Sequence, residues 1–234
     1  MADKGKKETD EKIEKKDGED AIQKASEFIQ RNRAAILVFL TFMVVALVVF
    51  IAVTSVLSSL NAKAMSQMEA LGQRYETLRF DIADASKDID AQTLLNDLAA
   101  FASAHKGYVS ARAHSIAASI YSDNKKNWVE AEKAWSAAAV AAEGTYLEPV
   151  AMYNQAIALE EQNNTQSAIE LFTKAAAFTD FPGASRAQFN IGRLREGVNK
   201  NEAIEAYRML LSKWPNDEVW SSLAQSRIIA LGLK

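Results

Sequence analysis

Hydrophobic and polar positions change pattern twice along the chain. Residues 1–20 carry six lysines and eight acids, with Ile13 as the only sizeable apolar side chain. That little apolar surface does not offset the entropy of ordering, so a disordered charged tail is expected. Over 21–33, Ile22, Ala25, Phe28 and Ile29 share one helical face, with Lys24, Arg31 and Arg33 available for lipid phosphates. This is the pattern of an amphipathic juxtamembrane helix. Residues 34–60 (AAILVFLTFMVVALVVFIAVTSVLSSL) then hold no charge over 27 positions. As a helix they reach about 40 Å against a hydrocarbon core of ~30 Å, which predicts a transmembrane helix that meets membrane lipid through 34–60.

Two details set how that span is used. Ala62-Lys63-Ala64 has the small-x-small form of a cleavage site. The apolar run, however, is roughly twice the length of a signal-peptide core and follows a long leader, so an uncleaved signal anchor is expected. The twenty residues before Ala34 hold five Lys or Arg and the twenty after Leu60 hold three. The bias puts the N-terminus in the cytoplasm and residues 61–234 outside it.

Beyond the span the apolar positions recur in short helical stripes. Ala131, Trp135 and Ala138 have counterparts in Ala168, Phe172 and Ala175, in Ala203, Tyr207 and Leu210, and more weakly in Leu94, Leu98 and Phe101. Successive copies are offset by 37, 37 and 35 residues, room for two helices and two turns. Positions i, i+4 and i+7 lie on one helical stripe. The small first residue allows a paired helix to approach, the aromatic fills the wedge between units, and such units must stack to bury both faces.

This arrangement resembles the tetratricopeptide repeat, a helix-turn-helix unit of about 34 residues with Ala, an aromatic, a second Ala and Pro at these relative places. The likeness is closest between Pro149 and Gly183, where Ala156 occupies the small helix-packing position. Ile191-Gly192 resembles the Leu-Gly of the next first helix, and in the preceding copy Tyr121 and Trp128 bracket a turn about one residue too long. The fold expected is all-α: one N-terminal transmembrane helix, then an α-solenoid of three to four repeats over 91–215, and a capping helix over 216–234. Val219, Leu223 and Ile228 are expected to cover the open end.

The segment 61–90 supports two readings. Met68, Leu71, Gly72 and Tyr75 stand at the repeat's first-helix spacing, which favours a degenerate repeat packed on Leu94 to His105 after a polar connection from Asp84 to Asp90. Met68, Leu71, Tyr75, Leu78, Ile82, Ala85 and Ile89 also form a heptad stripe that suits a coiled-coil stalk and an oligomer through 61–90.

Composition agrees with this picture. The chain of 234 residues is 49% hydrophobic, with 41 alanines, nine glycines, three prolines and no cysteine. Turn formers are too scarce for a β-sandwich. Pro149, Pro182 and Pro215 fall at equal 33-residue intervals. The first two suit helix entrances, where an N–H has no internal partner, and the third ends the last repeat. Without cysteine there is no disulfide, cysteine nucleophile, Cys-ligated zinc or acylated N-terminal cysteine. A net charge of −3, with no basic stripe, gives no footprint for nucleic acid.

Chemistry-bearing motifs are missing. His105 and His114 have no H-E-x-x-H companion, so no metal site is expected. No Walker loop, nucleophile elbow or dinucleotide fingerprint occurs. Acid pairs such as Glu160-Glu161 and Asp88/Asp90 fit solvated helix or loop. No catalytic residue and no cofactor are expected. The tetratricopeptide resemblance implies that first helices line a concave surface that takes protein segments. By register Arg112, Tyr153, Ile157, Glu161, Arg186, Phe189 and Arg193 belong to it. A Lys/Asn clamp for a C-terminal carboxylate is not evident. Trp128, Trp135, Trp214 and Trp220 are tempting as binding anchors, but Trp135 occupies the aromatic core slot and Trp214 adjoins Pro215 at the cap.

The order of parts, together with stretches such as Leu98 to Ile120, resembles the bacterial single-span ancillary subunits of the Sec translocon. That resemblance implies a scaffold anchored in the bacterial inner membrane, with its repeat domain in the periplasm. Its protein partners would be translocon subunits, a periplasmic chaperone or other envelope proteins. The alternative is a structural or assembly subunit of an envelope machine for division, wall synthesis or flagellar assembly.

Overall fold

The computed structural model describes the backbone of residues 2–80 and 87–232, and the side chains of 26–80 and 88–232. It divides into two units, Met1–Asn61 and Ala62–Lys234. Helix α1 spans Ala2–Phe80 and contributes to both.

In the first unit the backbone is helical from Ala2 onward. Lysine and glutamate are good helix formers, and Glu8–Lys12 and Glu11–Lys15 stand at the i,i+4 spacing that supports a helix without a core. Through 34–60 the side chains point outward, and none of the most apolar window is buried. The hydroxyls within this run are satisfied by their own helix: Thr41 Oγ1 donates to Leu37 O at 2.8 Å and Thr54 Oγ1 to Phe50 O at 2.9 Å. Such internal bonding keeps a polar side chain tolerable in an apolar solvent.

The second unit is a stack of helical pairs. The 62–80 portion of α1 packs on α2 (Lys87–Ala104); Met68, Tyr75 and Leu78 are buried with Ala91, Leu94, Leu95 and Leu98. Arg74 Nη1 reaches Asp97 Oδ2 at 2.6 Å. Met68, Tyr75 and Leu78 of the heptad stripe are therefore covered within the chain. Ile89 lies at the exposed start of α2, and Ile82 and Ala85 lie outside the described residues. So do residues 84–86 of the expected Asp84 to Asp90 connection, of which Lys87 to Asp90 is helical.

Next come α3 (Tyr108–Ser119) with α4 (Trp128–Ala141), α5 (Leu147–Glu161) with α6 (Thr165–Ala176), and α7 (Ala184–Glu196) with α8 (Lys200–Lys213), followed by the single helix α9 (Glu218–Gly232). The Ala–aromatic–small stripes are the seams of these pairs: Ala131, Ala138, Ala168, Phe172, Ala175, Ala203, Tyr207 and Leu210 are all buried. Full burial of a side chain the size of Phe172 stabilises by about 2–3 kcal/mol. Asn127 and Asn199 cap α4 and α8 by accepting backbone N–H bonds from Glu130 and from Asn201 and Glu202.

The over-long turn between Tyr121 and Trp128 has a structural counterpart. After α3 the chain adds a π-helical turn, Ile120–Asn124, with Lys125 N–H donating to Ile120 O at 3.2 Å. Ile120 remains fully buried while Lys126 takes a φ of 49° to start the next helix. A π-turn absorbs an inserted residue without losing the buried face before it.

At the far end Ser221 and Ala224 are buried, and Trp220, Ile228 and Leu231 pack on the Ala203–Tyr207–Leu210 cluster. Ile228 thus covers the end as expected. Val219 and Leu223 do not: they are 63% and 43% exposed, because Trp220 one residue on takes the inward face.

Candidate protein-binding groove

Helices α3, α5 and α7 are the first members of their pairs, the single helix α9 continues their row, and side chains of all four meet along it. Arg193 on α7 grips Glu160 on α5 through two parallel bonds of 2.6 Å, with 42% and 25% of the side chains exposed. Arg227 on α9 makes a two-pronged bond to Glu196 on α7, and the Tyr207 hydroxyl donates to the same carboxylate at 2.6 Å. Arg112 on α3 reaches Glu69 on α1 at 3.0 Å. An acid on one first helix thus holds an arginine on the next at three seams, a planar fork meeting a planar carboxylate at two of them. Between α3 and α5 no ion pair occurs among the described residues; there the Tyr108 and Tyr146 hydroxyls bond at 2.8 Å.

The electrostatics follow from these bonds. Arg227, and after it the Tyr207 hydroxyl, hold the Glu196 carboxyl below its usual range. Burial and then Glu196 push the Tyr207 phenol up. Glu160 raises Arg193, and burial raises Tyr153.

Aromatic side chains fill the row between the ion pairs. Phe189 lies 5.3 Å from Tyr207 and 5.2 Å from Trp220, ring centre to ring centre. Tyr153 accepts from Asn190 Nδ2 at 3.0 Å and meets Phe172 edge-on at 5.2 Å. The exposed Arg186 guanidinium lies over both Tyr153 (5.4 Å) and Trp220 (5.7 Å).

Of the residues expected in the groove, Tyr153, Arg186, Phe189 and Arg193 come together along α5 and α7. Arg112 lies two helical pairs away, closing the seam to α1 over Gly72. Ile157 is half-buried in the α5–α7 core. Glu161 is exposed, and its neighbour Glu160 takes the arginine. Sequence reasoning also missed Asn190 and Glu196 as members of the row, and named Trp220 only among the tempting tryptophans. The signal available was an acid followed 33 or 31 residues later by an arginine, Glu160 to Arg193 and Glu196 to Arg227.

The two histidines have local surroundings. His105 stacks on Phe101 at 4.1 Å and bonds to its carbonyl, and burial lowers the His114 pKa. Among the described residues no three His, Cys, Asp or Glu gather as metal ligands. A cleft of about 490 Å3 opens between the α4–α5 and α6–α7 connections, lined by Tyr146, Pro149 and Phe178 among others, with Asp180 as its one acid. It shares no residue with the aromatic row.

Helical pairs with small-residue seams, stacked through their first helices, define an α-solenoid of the kind that serves as a protein-interaction scaffold. The family model described as "Tetratricopeptide repeat" matches residues 150–177 and 186–217, the α5/α6 and α7/α8 pairs with the entry to α9. A "TPR repeat-containing protein" of Treponema pallidum (strain Nichols) is 27% identical over 194 residues, which span 76% of this chain and 80% of the relative. Crystal structures of a Podosopora anserina kinesin-light-chain protein with nearly identical TPR-like repeats, and of a variant of it, superpose with TM-scores of 0.52 at 13% identity. They cover 70% of this chain and 85% and 86% of theirs. The chain thus carries tetratricopeptide repeats over 150–177 and 186–217.

Proposed function

We propose that the protein is a single-span membrane scaffold whose repeat domain lies on the periplasmic side of a bacterial inner membrane, where it assists protein export or recruits a periplasmic chaperone. The observation that carries the anchoring is the state of 34–60. A core helix of such hydropathy is mostly buried, whereas here none of the most apolar window is covered by the rest of the chain. Large apolar side chains exposed from Leu37 to Leu60, interrupted only by small or hydroxyl residues, need an apolar surrounding. The export side follows from the excess of Lys and Arg before the span. The export role rests on the order of parts shared with ancillary translocon subunits.

Two measurements test this reading. A compartment-sensitive reporter fused after Lys234 is active outside the cytoplasm if the orientation is right, and activity confined to the cytoplasm overturns it. Purification in mild detergent enriches translocon and chaperone subunits. Recovery of wall-synthesis or motor components without any translocon subunit overturns the export role.

A further inference from the structure

Among the described residues of the first helices beyond Asn61, every arginine but one meets a carboxylate. Arg112, Arg193 and Arg227 each close a contact to the preceding first helix through a carboxylate. Arg74 and Arg195 reach acids on neighbouring second helices, and Arg79 reaches one on its own helix. Arg186 has no carboxylate within 4.0 Å among the described residues, and it is exposed. Asp217, at the entry to α9, is committed within the fold. It accepts from Ser185 Oγ at 2.5 Å and from Trp220 N–H at 3.2 Å, and so serves as the cap of α9.

The placement of Arg186 sharpens the exception. Its guanidinium lies over the rings of Tyr153 and Trp220, from α5 and α9. A guanidinium beside aromatic rings is drawn to their negative faces and keeps its full positive charge. The rings beside it are themselves held, Tyr153 by its bond from Asn190 and Trp220 against Phe189. The first turn of α7 contains no acid, so its free N–H groups add to the positive potential rather than cancel it. An uncompensated cation flanked by aromatic surface is complementary to a carboxylate flanked by apolar groups.

We propose that Arg186 is the specificity-determining residue of the groove, and that it reads a glutamate or aspartate side chain within an otherwise apolar partner segment, whose flanking residues lie against the aromatic row. The assignment is to an internal side chain because the cations on either side, Arg193 and Arg227, are already consumed by two-pronged bonds. Only one fork is left for a single carboxylate. The inference rests on the scaffold reading above.

The test uses the full chain in lipid nanodiscs and fluorescein-tagged peptide pools, blocked at both ends, with a fixed central Glu or Gln and mixed apolar flanks. Fluorescence polarisation is expected to show about tenfold tighter binding of the Glu pool. Arg186→Gln removes that preference, so that the Glu pool loses about tenfold in affinity and binds no better than the Gln pool. Arg186→Lys restores part of the preference, as a point charge in place of a fork. Equal binding of both pools by the wild type, or a preference that survives Arg186→Gln, overturns the inference and leaves the scaffold reading intact. A Gln pool with a free C-terminus that binds as well as the Glu pool overturns the side-chain assignment. Absence of binding by either pool overturns the groove itself as well as the inference.

Discussion

Gly192 is the point at which the packing of the last repeat is most exposed to a one-atom change. A Cβ at this position would lie 2.5, 2.7 and 2.8 Å from three ring carbons of Tyr207, far inside van der Waals contact. The ring has nowhere to go: it is fully buried, its hydroxyl is tied to Glu196 at 2.6 Å, and Phe189 stands 5.3 Å away. Helix propensity alone favours alanine over glycine by about 1 kcal/mol. Overpacking a closed core costs about 1–3 kcal/mol, and displacing the aromatic altogether costs about 3–5 kcal/mol. Gly192→Ala is therefore expected to destabilise by about 2 kcal/mol. In thermal unfolding of the full chain in detergent, followed by helical circular dichroism, the midpoint then falls by about 4–8 °C. Gly72→Ala is the control. There the Cβ meets only the Arg112 Nη2 tip, at 3.3 Å, which a flexible side chain yields, so the variant is neutral or up to about 1 kcal/mol more stable. Combining Gly192→Ala with Tyr207→Leu should cost at least about 1 kcal/mol less than the sum of the two changes. A Gly192→Ala protein as stable as the wild type, or additive costs in the double variant, refutes the close-packed seam.

Other outcomes follow from the same contacts. Glu196 is held below its ordinary pKa by Arg227 and Tyr207, so its stabilisation is complete above the reference value of 4.5 and is lost as pH falls through the lower folded value. Glu196→Gln should therefore be less stable than the wild type at neutral pH. The gap should narrow on acidification below about pH 4.5, as read from thermal midpoints across a pH series. Met68, fully buried against α2, should cost about 2–3 kcal/mol on change to Ala, with the oligomeric state in detergent unaltered as measured by light scattering. A wild-type oligomer that dissociates in this variant would support the coiled-coil reading.

The sequence was legible where one physical requirement dominated. Twenty-seven uncharged positions have a single ready use, and Ala–aromatic–small stripes must be buried whatever the turns between them do. Even the irregular turn after Tyr121 was visible as a surplus residue, although its π-helical form was not. The register of 61–80 was open because a heptad stripe and a first-helix stripe are the same pattern; the partners that Met68, Tyr75 and Leu78 find, Leu94 and Leu98, lie outside that pattern. The groove was less legible for a related reason. A row of side chains drawn from α5, α7 and α9 depends on one-residue choices, Glu160 rather than Glu161 and Trp220 rather than Val219. Those choices are set by how adjacent pairs are rotated, which no local pattern encodes.

The central claim is that this protein works by holding protein partners on the face of its first helices. Site-specific photo-crosslinking in intact cells tests it most directly, with the photoreactive residue placed in turn at Phe189, in the aromatic row, and at Val140, 76% exposed on α4. The account predicts discrete protein adducts from position 189 and none from position 140. Adducts from 140 alone, or equal adducts from both, would contradict it.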